Sequence, residues 1–192
     1  SNLCWIYDNN TITIEGYGMY RLSDFVGSLF GVTGSGHVEL RSPQLAQLTV
    51  RATTDSIVYR DGVPTAHSAE VPLLVSRQGV TLPEGGSIPE ILLLTGLRGP
   101  LSGHRTNIVL TETVGQPIEV RATLFAPSGT RIGRKTVSLQ PYSKLQINSG
   151  DPELFPAPYA EGTLEVVPMA GGGQVSAFAT VLDVVSGTYS VR

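Results

Sequence analysis

Residues 118–125 read IEVRATLF. Ile118, Val120, Ala122 and Leu124 alternate with Glu119, Arg121 and Thr123, the period-2 pattern of a strand with one face in a core and the other in water. Ala126-Pro127-Ser128-Gly129 then supplies turn chemistry. Arg131 to Leu139 resumes with Ile132, Val137 and Leu139 before Pro141 interrupts, so 118–139 reads as a hairpin. The same reasoning predicts strands over 3–7, 11–14, 19–22, 37–40, 47–54, 71–75, 91–97, 107–113, 143–147, 163–167 and 174–182, with a short helical turn only at 24–30. Gly 22 and Pro 13 in 192 residues fit many short elements joined by turns. The expected class is all-β, a sandwich architecture.

Composition narrows the function classes. With 41% hydrophobic and 15% charged residues, the chain has the apolar material for a core and too little charge for disorder. Net charge is −3 and the Lys and Arg residues are scattered singly, so the basic patch of a nucleic-acid binder is missing. Cys4 is the only cysteine, which excludes an intrachain disulfide and a cysteine-rich zinc site. No run of about 18 apolar residues exists to span a bilayer as a helix. Ser1 to Asn10 lacks the basic-then-apolar order of a signal peptide.

The hairpin leads into TVSLQPYSKLQINSGDPELF, residues 136–155, which has a twin in TITIEGYGMYRLSDFVGSLF, residues 11–30. Thr11 meets Thr136, Ile14 meets Leu139, Tyr17 meets Tyr142, Leu22 meets Ile147, and Leu29-Phe30 meets Leu154-Phe155, all at an interval of 125 (142 − 17). Gly36, Val38 and Leu40 align with Gly162, Leu164 and Val166 at 126, and Ala52-Thr53 with Ala179-Thr180 at 127. A period of that size is one whole sandwich module, so the sequence predicts a duplication and two domains, 1–86 and 87–192. The counterpart of strand 105–113 would precede residue 1, leaving the first module without its N-terminal strand, and that of 56–97 would run past Arg192. Three explanations stay open: a piece of a longer array, segments that cross over between modules, or a strand donated by another chain to an open sheet edge.

The run HRTNIVLTETVGQPIEVRATLFAPSGTRIGRKTVSLQPYSKLQIN, residues 104–148, together with SAFATVLDVVSG, residues 176–187, resembles the tandem immunoglobulin-like β-sandwich modules of secreted and surface bacterial proteins. The shared features are Arg105-Thr106-Asn107 before a strand, the hairpin, the strand around Pro141-Tyr142-Ser143 ending in Ile147-Asn148, and an alanine-rich closing strand ending at Asp183. The resemblance covers most of 88–192 and, less closely, 1–56. It implies two tandem immunoglobulin-like antiparallel β-sandwiches, an extracellular or cell-surface location, and a structural, adhesive or spacer role, with other protein modules or chains as partners. A self-assembling surface or filament component is one form of that role. It supplies no catalytic residues and no cofactor.

Two other classes are weighed against that reading. A hydrolase needs a base beside a nucleophile, and the imidazoles are His37, His67 and His104. His37 follows Ser35 in GVTGSGHVEL, but this is not G-x-S-x-G and reads as a hairpin turn; His67 and His104 lie in polar loop sequence. Asp24 and Asp183 show no pairing in sequence, and Asn9-Asn10-Thr11 matches a glycosylation sequon as well as a turn. Asp151 and Glu153 in SGDPELF are calcium candidates, although Asp151 ahead of Pro152 reads more simply as a turn cap. A carbohydrate-binding accessory module of a secreted enzyme would show exposed coplanar aromatics, and Trp5 and Tyr7 share one face of the first strand. Tyr17 and Tyr142 are expected as corner residues, with Phe30 and Phe155 as core plugs.

Overall fold

In the computed structural model, residues 90–192 are described without a break, together with 50–60, 62–71, 79–82 and positions 12–14, 19, 21, 24, 27, 28, 31 and 40. The chain falls into two compact units, residues 1–36 and 37–192. In the first, Ser28 N–H donates to Asp24 C=O at 2.7 Å and Gly31 N–H to Gly27 C=O at 3.0 Å, a helical turn inside the 24–30 segment predicted as one. Its counterpart at an interval of 125 is the Pro152-Glu153 turn, closed by Phe155 N–H on Asp151 C=O at 2.8 Å. Residues 12–14, 19 and 21 lie outside strands, against the strands expected at 11–14 and 19–22. Four-residue runs beside Gly16 and Gly18 hold no strand by propensity alone and depend on a partner.

Every strand pair described in the second unit is antiparallel, and its one described helical element is the 3-10 turn Pro100–Ser102. Strands β1 (Ala52–Arg60) and β2 (Val63–Val71) form a hairpin whose register closes at Arg60 opposite Val63. Gly62, between those two positions, sits at φ 79°, a conformation open to glycine.

Then follow β3 (Val80–Thr81), β4 (Leu92–Arg98), β5 (His104–Glu112), β6 (Ile118–Phe125), β7 (Arg131–Leu139), β8 (Lys144–Ile147), β9 (Glu161–Gly171), β10 (Gln174–Asp183) and β11 (Tyr189–Val191). Seven of these, β4 to β10, occupy the predicted strands, and β6 and β7 match them residue for residue. They build two sheets. One runs β4-β9-β6-β7; in the other β11-β10-β5-β8 are neighbours, with β3 on the same edge of β10 as β11.

The inward positions that alternation predicted form the core between the sheets: Val120, Ala122, Leu124, Leu164 and Val166 from one side, Ile108, Leu110, Val175 and Ala179 from the other. Each fully buried leucine or valine contributes about 1.5–3 kcal/mol relative to exposure. Pro168 lies within β9 beside a bulge where the register on β6 shifts, the kind of place at which a strand tolerates a missing N–H.

In chain order the sheets read β3-β10-β5-β8 and β4-β9-β6-β7, the interleaved Greek keys of a jelly roll. The expected immunoglobulin order is different, because there the last two strands of the sandwich share a sheet. Here β9 and β10 lie in opposite sheets, joined across one end by Gly172-Gly173. Hairpin periodicity specifies which residues point inward but not which sheet a strand joins, so the two topologies look alike in sequence. Thr81 and Val80 pair with Gln174 and Val175, so a strand preceding residue 87 completes this sheet. The expected junction at 86/87 itself lies outside the described residues.

Candidate interaction edge

The strand edges of the β3–β11 sandwich differ sharply. The outer edge of β10 is occupied by β3 and β11, and Arg192 continues the latter with both its N–H and C=O bonded to Ala179 at 2.9 Å. The outer edge of β7 is covered by the loop after β8, where Arg134 N–H donates to Glu153 C=O at 3.0 Å. Gly133 permits this approach, since any Cβ there would meet the Leu154 carbonyl oxygen. Strand β8 is four residues long, begins at Lys144 and exposes Gln146, the usual devices for blunting an edge.

Strand β4 has none of these. Among the described strands it pairs with β9 alone, and no charged residue interrupts 91–97. Leu92, Leu94 and Leu97 point into the core, whereas Leu93 is 58% exposed and Ile91 50%. A bulge separates Leu94 from Leu97, with Gly96 at φ 70°. The Arg192 side chain approaches Gly96 there and, with Arg98 and Glu161, lines a shallow cleft of about 370 Å³. Among the described residues the open stretch is therefore 91–94, an apolar run whose outward backbone groups meet no partner there. An edge of this kind is a template for another strand.

The ends of the sandwich differ too. At one, the Glu112 carboxylate is fully buried and accepts backbone N–H bonds from Val114, Gly115 and Tyr142 at 2.8 Å and from Gln174 at 3.2 Å. Those donors come from the β5–β6 and β7–β8 connections and from Gln174 at the start of β10, so one side chain ties two loops to a strand end. Burial by itself would raise its pKa, but the four N–H groups outweigh that and hold it below the usual carboxylate range. The corner residue Tyr142 is held here in the left-handed region at φ 54°, through its backbone N–H. Glu112 was missed from sequence although a signal existed, because it continues the inward parity of Ile108 and Leu110.

The other sequence candidates fall as follows. Asp151 and Glu153 converge, but on a lysine: Lys135 Nζ lies 2.8 Å from Asp151 and 3.2 Å from Glu153. Asp151 Oδ1 also accepts N–H bonds from Glu153 at 3.1 Å and Leu154 at 3.0 Å, making it a turn cap. Burial would raise the Asp151 pKa; the Lys135 ammonium and the capped N–H groups outweigh it and lower the value, while the two carboxylates raise that of Lys135. Asp151→Ala is expected to cost about 1 kcal/mol, as a lost cap does, and Lys135→Met under about 0.5 kcal/mol because the pair is partly solvated. The ammonium already neutralises the site, so millimolar calcium should leave the thermal midpoint unchanged; a rise with calcium would show a cation displacing the lysine.

His104 directs Nδ1 at the Ser102 carbonyl, and the Ser102 hydroxyl lies 2.9 Å from the carbonyls of Gly99 and Ala160 rather than against the imidazole. Asp183 spends its Oδ1 on the N–H groups of Val185 and Ser186. No nucleophile and base are thereby brought together at this end. Phe155 and Tyr159 stack with ring centroids 6.0 Å apart, but Tyr159 is buried against Gly99 and Gly162 and offers no platform for a sugar ring. Trp5, Tyr7, Tyr17, Phe30 and His37 lie outside the described residues, as does the side chain of His67. Among the described residues no group of three or more His, Cys, Asp or Glu could hold a metal ion, and no helix is long and apolar enough to cross a membrane. No family model matches the chain, and neither a curated protein nor a solved structure matches it.

Proposed function

We propose that this chain is a non-catalytic structural or adhesive element of an extracellular or cell-surface polypeptide, which engages other protein modules or chains by strand pairing along β4. The observation that carries the reading is the contrast between edges among the described residues: those of β10 and β7 are covered, that of β8 is short, and that of β4 combines backbone without a partner there with exposed Ile91 and Leu93. Natural sheets blunt such edges unless they are used. The sequence repeat at an interval of 125–127 supports a tandem, spacer-like design. The link to immunoglobulin-like repeats of bacterial surface proteins rests on residues 104–148 and 176–187. The strand order differs from theirs, so the proposal stands on the sandwich and its edge and not on that topology.

Amide hydrogen exchange tests it. A peptide of sequence ILLLTGL, added to dilute protein, should slow exchange along β4 by tenfold or more and leave β7 unaffected. Exchange along β4 that is already slow in dilute protein without peptide would mean the edge is filled within the chain, and would defeat the reading.

A further inference from the structure

We infer that the outer edge of β1 is an acceptor for a strand of the β5 type, presented by another protein module. The sequence repeat carries the assignment, independently of the β4 edge. Residues 47–58, QLTVRATTDSIV, align with 174–185, QVSAFATVLDVV, at the interval of 127 (174 − 47). Gln47, Ala52 and Thr53 recur as Gln174, Ala179 and Thr180, and Leu48, Ile57 and Val58 meet Val175, Val184 and Val185. Residues 52–56 of β1 are thus the counterparts of 179–183 of β10. Each strand is followed in the chain by an antiparallel partner, β2 in one case and β11 in the other. On its other side β10 pairs with β5, whereas among the described strands β1 pairs with β2 alone. A two-stranded ribbon is marginal in water and gains stability from a third strand. This one is bare at its tip, where residues 62–66 are all exposed.

Residues 1–192 hold no spare strand of that type. The interval carries the counterpart of β5 to positions before residue 1, and β5 itself is held between β10 and β8. The register is set by the pair already seated in the second sandwich, where Ala179 stands opposite Ile108, Thr180 opposite Asn107, Leu182 opposite Arg105 and Asp183 opposite His104. Carried across the interval, Ala52 meets the Ile108 position, Thr53 the Asn107 position, Asp55 the Arg105 position and Ser56 the His104 position. Asp55 replaces the Leu182 of the second copy, so the first copy adds a cross-strand pair of opposite charge that the second lacks. Backbone bonds along the edge supply the attraction, and this charge pair fixes the register.

The full chain tests this with a peptide of the β5 sequence, HRTNIVLTE, read by amide hydrogen exchange and by titration. The peptide should slow exchange along 52–56 by about tenfold or more and leave β4 unaffected. A peptide carrying Arg105→Glu should bind roughly fivefold more weakly, a cross-strand attraction having turned to repulsion. Asp55→Arg in the protein should weaken the original peptide by a similar factor and restore the Arg105→Glu peptide. Protection of 52–56 by a scrambled peptide to the same degree, protection confined to β4, or affinity indifferent to both charge reversals overturns the assignment. Exchange along 52–56 that is already slow in dilute protein without peptide means that the chain fills this edge itself, and overturns it too. None of these results bears on the ILLLTGL experiment, so this inference and the β4 reading fail separately.

Discussion

Glu112→Gln is expected to lower the unfolding midpoint by roughly 10–20 °C, the equivalent of about 3 kcal/mol for a domain of this size. The carboxylate offers two oxygens to four N–H donors. An amide keeps one oxygen and turns an NH₂ towards donors that then have no acceptor, in a site closed to water. The loss also depends on pH. A carboxylate whose folded pKa lies below its unfolded value of about 4.3 contributes stability that is fully present above that value and is lost as pH falls through the folded one. The gap between wild type and Glu112→Gln should therefore be constant near neutrality and shrink below about pH 4, with the variant less acid-sensitive. Denaturant melts at pH 7, 5, 4 and 3 decide it; a gap that persists unchanged to pH 3 would mean the four bonds do not depend on the charge.

Gly133→Ala should have a second large effect, and of a different kind. The added methyl meets the carbonyl oxygens of Leu154 and Glu153, which are backbone atoms and cannot rotate away. The loop must lift, breaking the bond from Arg134 N–H to Glu153 C=O and the contact of Lys135 with Asp151. Forcing in one methyl costs about 1–3 kcal/mol, and buried Leu154 loses its seat as well. The lifted loop also bares the edge of β7, so the variant should form larger species that wild type does not. Gly150→Ala, in the same loop but with open space around its added methyl, should match wild type in both respects. Thermal melts combined with light scattering read the two effects together, and a destabilised Gly133→Ala that stays the size of wild type would show that the loop is not what guards β7.

The strands were legible wherever the physics is local. Ile118–Phe125 and Arg131–Leu139 matched because alternation fixes the buried face and Pro127-Ser128-Gly129 fixes the turn. Val80–Thr81 and Tyr189–Val191 were not legible, because two- and three-residue strands carry no periodicity and exist only through the edge of β10 that receives them. The jelly-roll order escaped for a related reason. It depends on β9 and β10 parting into opposite sheets at Gly172-Gly173, and diglycine permits a crossover as readily as a hairpin. The open edge was half visible: ILLLTGL announced an apolar strand, but its place at the end of a sheet is a property of topology. Asp151 reads from sequence as a turn cap, with Asp151 and Glu153 only as calcium candidates beside it; the cation they meet is Lys135, sixteen residues before Asp151 on a neighbouring strand where spacing rules do not look.

The shared edge of β10 carries one further consequence. β3 and β11 both run antiparallel to β10, so they run in the same direction along one line. Arg192 sits opposite Ala179 and Val80 opposite Val175, so Gly79 follows Arg192 after a gap of only two register positions. A peptide of two residues, about 10 Å from one flanking α-carbon to the next, would fuse the two segments into a single unbroken strand. Residues 79–192 thus describe a ring cut open at one point, and the cut could be moved to the Ser128-Gly129 tip without altering the order of strands within either sheet.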